Sequence, residues 1–401
     1  MGLFSKKNTE VKSVSTNVAM LSALSHGNQI FVEAMAYRTN PYVRRAVDLN
    51  AASASSVPAM LMDAKGNEIE SPNHPLRKLM DRPNKSMGWK EYVDTNIRYL
   101  GIYGETFIYM VRTIKGIEAL HPISSQNVTV QPSNNILDPV AYYTVNMGNG
   151  SIRVNPENMI HIKYPNPKDP THGLSPMTSA ADAIMIQAAI REWNISTTKN
   201  GANPSMELNI PYEMTKEQFD DFKKKFDAGY GGPDNANKVL ILDGGKTSKV
   251  LGFNARDMDY ANAVVLYARE VSIAYGVPPE KIGDSANKTY SNSIEANKEY
   301  ANDTVMPLLD MFYSAHNRQI LPLYKDVAEI KYDIEKVPGL KGDQTQQYIA
   351  LNSIDFMSIN EKRALFGYDD LGADADVILV PMGKVPLNEA TEPLPKPPMG
   401  E

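Results

Sequence analysis

Cysteine is absent from all 401 residues. Disulfides, thiolate metal sites and cysteine nucleophiles are therefore excluded, and the chain is indifferent to the redox state of its surroundings. No run of eighteen apolar residues occurs, so no segment reads as a membrane-spanning helix. The first residues lack an apolar core with a cleavage site, and Lys6 stands where a myristoylation signal wants Ser or Thr, so neither secretion nor lipidation is expected. A basic excess is also missing: 41 Lys and Arg face 47 Asp and Glu, a net charge of −6. A protein that grips DNA draws most of its non-specific affinity from neutralised phosphates. Either this chain ignores nucleic acid, or it works beside DNA without adhering to it.

What is present is an ordinary globular composition, 42% hydrophobic and 22% charged, in a chain long enough for a sizeable core and more than one domain. Residues 1–39 are polar and without long periodicity, and read as a loosely held arm. Asn40-Pro41 opens a helix with proline in its first turn, and Val43, Val47 and Ala51 share a face. A strand over 57–62 is expected to pair locally across the Ala64-Lys65-Gly66-Asn67 turn, followed by a helix over 89–100. β-branched and aromatic runs at 106–111, 117–120, 128–130, 142–145 and 159–162, with a Gly148-Asn149-Gly150 hairpin, make residues 40–175 an α+β module on an antiparallel sheet.

Ser175 can cap, and Pro176 can open, a helix running to about residue 200. A second long helix spans about 257–275. Between them, residues 202–256 read as a compact insert: strand 206–210, helix 215–227, and strands 239–242 and 249–252. Two long helices carrying a small insert at their far end form a stalk with a tip. The second helix ends at Gly276, since Pro278-Pro279 forbid its continuation. A polar run over 283–292 follows. The next helix is expected to be capped by Asn292, with Glu295 at capping-box spacing and a kink at Pro307. A strand at 329–334, a helical tail at 344–366 and a Pro-rich disordered end at 386–401 complete the reading.

Candidate chemistry is thin. Gly244-Gly245-Lys246-Thr247 resembles the end of a phosphate loop, but Leu240 occupies the position of the required first glycine, so a tight turn is the better reading. The six histidines never fall at metal-ligand spacing, and His121 and His161, at strand ends, suit packing or a local hydrogen bond. Asp369, Asp370, Asp374 and Asp376 lack the glycine and terminal glutamate of a calcium loop. No G-x-S-x-G elbow exists. No cofactor, metal or catalytic residue is assigned.

The stretch Tyr275-Gly276-Val277-Pro278-Pro279-Glu280-Lys281-Ile282-Gly283, then Thr289-Tyr290-Ser291-Asn292 and Pro307-Leu308-Leu309, resembles the portal proteins of tailed bacteriophages. So do Tyr103-Gly104-Glu105-Thr106-Phe107-Ile108, Leu120-His121-Pro122-Ile123, Asn158-Met159-Ile160-His161, Gly173-Leu174-Ser175-Pro176, and Asn360-Glu361-Lys362-Arg363 with Gly367. The resemblance implies a ring, usually a dodecamer, at one capsid vertex of the virion, made in the host bacterial cytoplasm. Its modules would be a wing (40–175, with the tunnel loop, kinked helix and wing return at 277–340), stem helices (176–201 and 257–276), a clip (202–256) and a crown (341–385). The implied partners are the terminase large subunit, a head-tail adaptor, the major capsid protein and scaffold. Double-stranded DNA would pass non-specifically, and ATP hydrolysis would belong to the terminase rather than to this chain.

Three sets of residues follow from that frame. Asn287, Lys288, Thr289, Tyr290, Ser291 and Asn292 would form a loop facing the DNA tunnel. Lys223, Lys224 and Lys225 would mark the terminase-docking clip. Ala181 and Ala188 on the first stem helix, with Ala261 and Ala268 on the second, would permit close helix approach between subunits. The competing readings are another head-tail adaptor or minor capsid protein, an α/β enzyme of unknown type, and a nucleotide-driven motor subunit. The missing glycine at Leu240 argues against the last.

Overall fold

The computed structural model describes residues 29–114, 116–199, 206–209, 215–230, 247–250, 260–284, 290–340, 357–365, 368–372, 375–376 and 378. The chain divides into two compact units, residues 1–340 and 341–401.

The first unit opens with helix α1 (Gln29–Thr39), which packs on the helices at residues 41–55 and 89–103. The expectation of a loose arm therefore fails over its last eleven residues, because Ala36 is buried against the core although the segment shows no one-sided apolar pattern. Helix α2 (Pro41–Ser55) begins where expected. Asn40 Oδ1 accepts the amides of Tyr42 and Val43 at 2.9 and 3.2 Å, satisfying donors that the first turn leaves unpaired. Its buried face holds Val43, Ala46, Val47, Asn50, Ala51 and Ala54, the predicted stripe widened by one residue on each turn.

Strand β1 (Ala59–Met62) pairs antiparallel with β10 (Glu329–Tyr332), some 270 residues later in the chain. The expected local pair is present but short, a single bridge from Met62 to Glu68 closed by Asp63 N–H to Asn67 O at 2.9 Å and Ile69 N–H to Leu61 O at 2.7 Å. β10 takes the opposite edge of β1, where Met62 O accepts from Ala328 N–H and Pro58 O from Asp333 N–H, a partner that no local turn signal announces. Helix α3 (Pro75–Asp81) follows, then α4 (Trp89–Tyr103), which lies on α2 and buries Tyr92, Val93, Ile97 and Leu100.

The antiparallel strands form two sheets rather than one. β2 (Glu105–Thr113) sits between β3 (Gly116–Ile123) and β7 (Met159–Lys163). β4 (Val128–Pro132), β5 (Val140–Asn146) and β6 (Ser151–Val154) form the second, with the predicted glycine hairpin joining β5 to β6. Phe107 and Met159 reach across to Val128, Val130, Tyr143, Val145 and Val154 in a small separate core.

The helical pair comprises α5 (Ala181–Lys199) and α7 (Tyr260–Ala274), packed on each other. Ser175 does cap with Pro176 at the first position, but the turn they start is the 3₁₀ segment Pro176–Thr178, and α5 begins only at Ala181. In the insert, β8 (Met206–Asn209) pairs with β9 (Thr247–Val250), and α6 (Lys216–Tyr230) lies between them in sequence. The predicted strand at 239–242 and the Gly244-Gly245-Lys246 turn lie outside the described residues.

Helix α8 (Tyr290–Tyr300) is already formed at Tyr290, so Asn292 lies inside its first turns and does not cap it. The spacing that suggested a capping box is equally at home in a first turn, where polar residues suit the positive helix end. The chain continues through a π-helical turn, Ala301–Val305, into α9 (Met306–Ile320). The Met306 amide reaches Ala301 O, five residues back. This irregularity sits just ahead of Pro307, whose missing amide proton removes one bond from the ladder.

In the second unit, Ser358 and Glu361 form a capping box that opens helix α10 (Ile359–Ala364). Asn360 and Arg363 hold the backbone of Leu371, Gly372 and Asp369. The Asn360-Glu361-Lys362-Arg363 stretch is thus a capping and loop-holding device. Asp376 accepts from Ser358 and Asn360, and Asp370 from the Gly372 amide, while Asp374 lies outside the described residues.

At the heart of the first unit, Tyr92, Phe312 and His316 are fully enclosed, with Trp89 against them. His316 Nδ1–H donates to Phe312 O at 2.7 Å, which leaves Nε2 to accept the Tyr92 hydroxyl, also at 2.7 Å. Burial lowers the His316 pKa to about 4. The folded state then refuses a proton that the unfolded chain accepts near pH 6.5, so stability is fully present above that pH and is lost as pH falls towards 4. Buried His161 shifts in the same direction. The expected loss for His316 is about 2 kcal/mol between pH 7 and pH 5, read as a falling urea midpoint across that range. A midpoint that stays flat across that range would contradict this assignment.

Candidate functional site

Two parts of the structure are candidates: the joint where the chain leaves the sheet for the helical pair, and the cleft at the root of that pair.

At the joint, α4 ends at Gly104, whose φ of +76° favours glycine, and a Cβ there would lie 2.3 Å from Ser175 N. Gly173 approaches as closely from the other side, 2.1 Å from Gly104 O by the same measure. Into this contact β2 places Glu105, whose side chain is only 6% exposed. Its carboxylate accepts from His161 Nε2 at 3.0 Å, His172 Nδ1 at 3.1 Å and the Gly173 amide at 2.8 Å. Burial alone would raise the Glu105 pKa, but these donors together outweigh it and lower it to about 2. His172, half-exposed, is raised by its bond to Glu105. At His161 burial is the larger influence and lowers the pKa, against the pull of Glu105, so the ring is held neutral and donates Nε2–H while stacking on Phe107 at 4.2 Å. Ser175 Oγ donates to Ile102 O at 2.8 Å and completes the seam. The expectation of a local hydrogen bond for His161 is met; Glu105 and His172 were not singled out, since nothing in sequence links positions 105 and 172. Among the described residues no group of three or more acidic or histidine side chains is arranged to hold a metal ion.

At the root of the helical pair, polar ties cross three helices. Asn40 Nδ2 donates to Gln187 Oε1 at 2.7 Å, Gln187 Nε2 to Val264 O at 3.4 Å, and Arg191 to Thr39 O at 3.0 Å. Beside them opens a cleft of about 450 Å³ between the start of α2 (Pro41, Tyr42), α5 (Ile190, Arg191, Ile195) and α7 (Val264). Of the four alanines, Ala181 and Ala188 are partly buried, the side chain of Ala261 lies outside the described residues, and Ala268 is only 4% exposed. Ala268 therefore permits close approach within one chain, which corrects its expected place on a face between subunits.

Below α7, Asn50 ties three segments together, donating to Tyr275 O and accepting from the Tyr300 hydroxyl. Gly276 ends α7 at φ +62°, and a Cβ would lie 2.4 Å from Thr304 Oγ1. The polar run that follows starts from a fixed point: Asp284 Oδ2 takes Arg269 Nε of α7 at 2.5 Å. Asn287, Lys288 and Thr289 lie outside the described residues, whereas Tyr290, Ser291 and Asn292 belong to α8, with Asn292 exposed. The predicted loop is therefore shorter than its six residues, ending where α8 begins. Lys224 is exposed on α6, and the side chains of Lys223 and Lys225 lie outside the described residues.

The phage portal protein family profile matches residues 41–367. An uncharacterized protein of Rickettsia bellii (strain RML369-C) is 30% identical over 358 residues, 86% of this chain and 92% of that protein. The portal protein of Enterobacteria phage HK97 is 22% identical over 332 residues, 80% of this chain and 77% of its own. A chain from the neck of a native GTA particle computed with C12 symmetry superposes with a TM-score of 0.63 at 26% identity, over 89% of this chain and 99% of that one. The family profile and the superposed chain thus cover most of the length, and the chain belongs to the phage portal protein family.

Proposed function

We propose that this portal protein closes into a homo-oligomeric ring of twelve at one vertex of a DNA-carrying particle, where it forms the channel for double-stranded DNA during packaging and release. The observation that carries this reading is the near full-length likeness to a neck chain determined with C12 symmetry. The role is structural rather than catalytic. In this reading the wing is residues 40–175 with 277–340, the stem helices are 176–201 and 257–276, the clip is 202–256 and the crown 341–385. The net charge of −6 suits a channel that passes duplex without holding it, because each basic contact would gain affinity by releasing counterions.

The clip lies between the two long helices in sequence and carries the exposed Lys224, which supports its assignment as the docking tip for the terminase large subunit and the head-tail adaptor. The major capsid protein and scaffold would meet the wing. Asn287, Lys288 and Thr289 lie in sequence between the Arg269–Asp284 anchor and α8, and in this reading they meet the passing DNA.

Native mass spectrometry of the purified chain is expected to give a closed ring of about a dozen copies; a monomer or dimer at micromolar concentration would reject the ring. Deleting residues 212–233 should leave rings intact and abolish capture of the terminase large subunit, and retained capture would remove the clip from that role. Asn287→Lys with Thr289→Lys adds two positive charges per copy, and the basic girdle should slow DNA packaging in a salt-dependent way. Unchanged packaging rate and DNA length with rings of matched stability would mean the loop does not line the channel.

A further inference from the structure

A ring of more than two copies is built from two different patches on every subunit, one meeting the other on the next copy. Resting on the ring reading above, we infer that the seam at the stem is formed by the outer face of α7, through Leu266 and Glu270, seated in the next copy's cleft beside Tyr42, Arg191 and Ile195.

The two patches lie on opposite sides of one helix. At about 100° per residue, Val264, Ala268, Val271 and Ser272 share the side of α7 that faces its own chain, and Val264 is the residue that lines the cleft. Leu266 and Ile273 lie about 200° and 180° around from Val264. They are 54% and 77% exposed, and Val265 beside Leu266 is 40% exposed, so the outward side of this helix carries an apolar patch while Ala268, Val271 and Ser272 on its inward side are buried. A groove on one side and an apolar ridge on the other is the arrangement that lets identical copies follow one another head to tail.

The cleft matches the ridge in chemistry as well as in shape. Its floor is Ile190, at 7% exposure, and its rim carries Ile195, 48% exposed, beside the exposed Arg191. The ridge carries the exposed Glu270 one turn beyond Leu266. An isoleucine-lined pocket with a cationic edge thus faces a leucine ridge with an anionic edge. Position along the axis agrees too. Rotation about the ring axis leaves height unchanged, so the cleft at Val264 meets neighbouring residues of similar height, and Leu266 is only about 3 Å further along the helix.

The absence of native cysteine makes the test clean. Ile195→Cys combined with Leu266→Cys in one chain should, on mild oxidation of assembled rings, give a ladder of covalent multimers reaching the full copy number. Each single variant alone should remain monomeric on a non-reducing gel, and mixing the two single variants should stop the ladder at dimers. Rings that assemble by native mass spectrometry but yield no ladder overturn this seam while leaving the ring reading standing. A parent chain that forms no ring overturns both. Charge reversal gives a second measurement that does not depend on cross-linking: Arg191→Glu and Glu270→Arg should each weaken assembly about tenfold, and the two together should restore it. Equal weakening in the single and double variants would overturn the pairing of these edges.

Discussion

The structure turns on a buried carboxylate. Glu105 sits at the first position of the central strand with its side chain almost wholly enclosed, and an enclosed carboxylate is tolerated only when its oxygens are fully engaged. The three donors that engage it come from a neighbouring strand (His161) and from the turn leading to the helical pair (His172 and the Gly173 amide). Meeting that demand fixes where the chain leaves the sheet. With Gly104 and Gly173 in backbone contact and Ser175 bonded to Ile102, the direction in which the helical pair departs is set by residues some seventy positions apart in sequence.

From this joint the remaining constraints follow in order. The pair α5 and α7 is tied to the start of α2 by the chain of Asn40, Gln187 and Val264, and α7 is tied at its other end to α2 and α8 through Asn50. Buried amides of this kind add modest net stability but cost free energy whenever one is left unpaired, so they specify geometry more than they strengthen it. The apolar core does the stabilising, with Phe312, Tyr92 and Leu309 fully enclosed beneath the helices.

Much of this was legible in the residues. Asn40-Pro41, Ser175-Pro176 and Gly276 with its following prolines act through local backbone chemistry, so their helix boundaries could be read directly, though Ser175-Pro176 opened a 3₁₀ turn before the helix proper. The strands of residues 105–163 announced themselves through β-branched and aromatic runs and one glycine hairpin. Motif order pointed to the family before any contact was known. What escaped were features that depend on distant partners: β10 pairing with the other edge of β1, α1 held by packing without a one-sided pattern, and Asn292 inside a helix rather than at its cap.

By itself, then, the amino-acid sequence determined the elements, the exclusion of thiol chemistry, the α+β class and the portal-type order of segments, because each rests on interactions within a few residues. Only the tertiary structure decided that Gly104-Glu105 and Gly173-Leu174-Ser175 are two halves of one joint, that Ala268 faces its own chain, and that α7 carries a cleft on one side and an apolar ridge on the other. The physical reason is the same in each case. Burial and hydrogen-bond satisfaction are properties of the space around a side chain, and that space is filled by residues whose nearness no local pattern records.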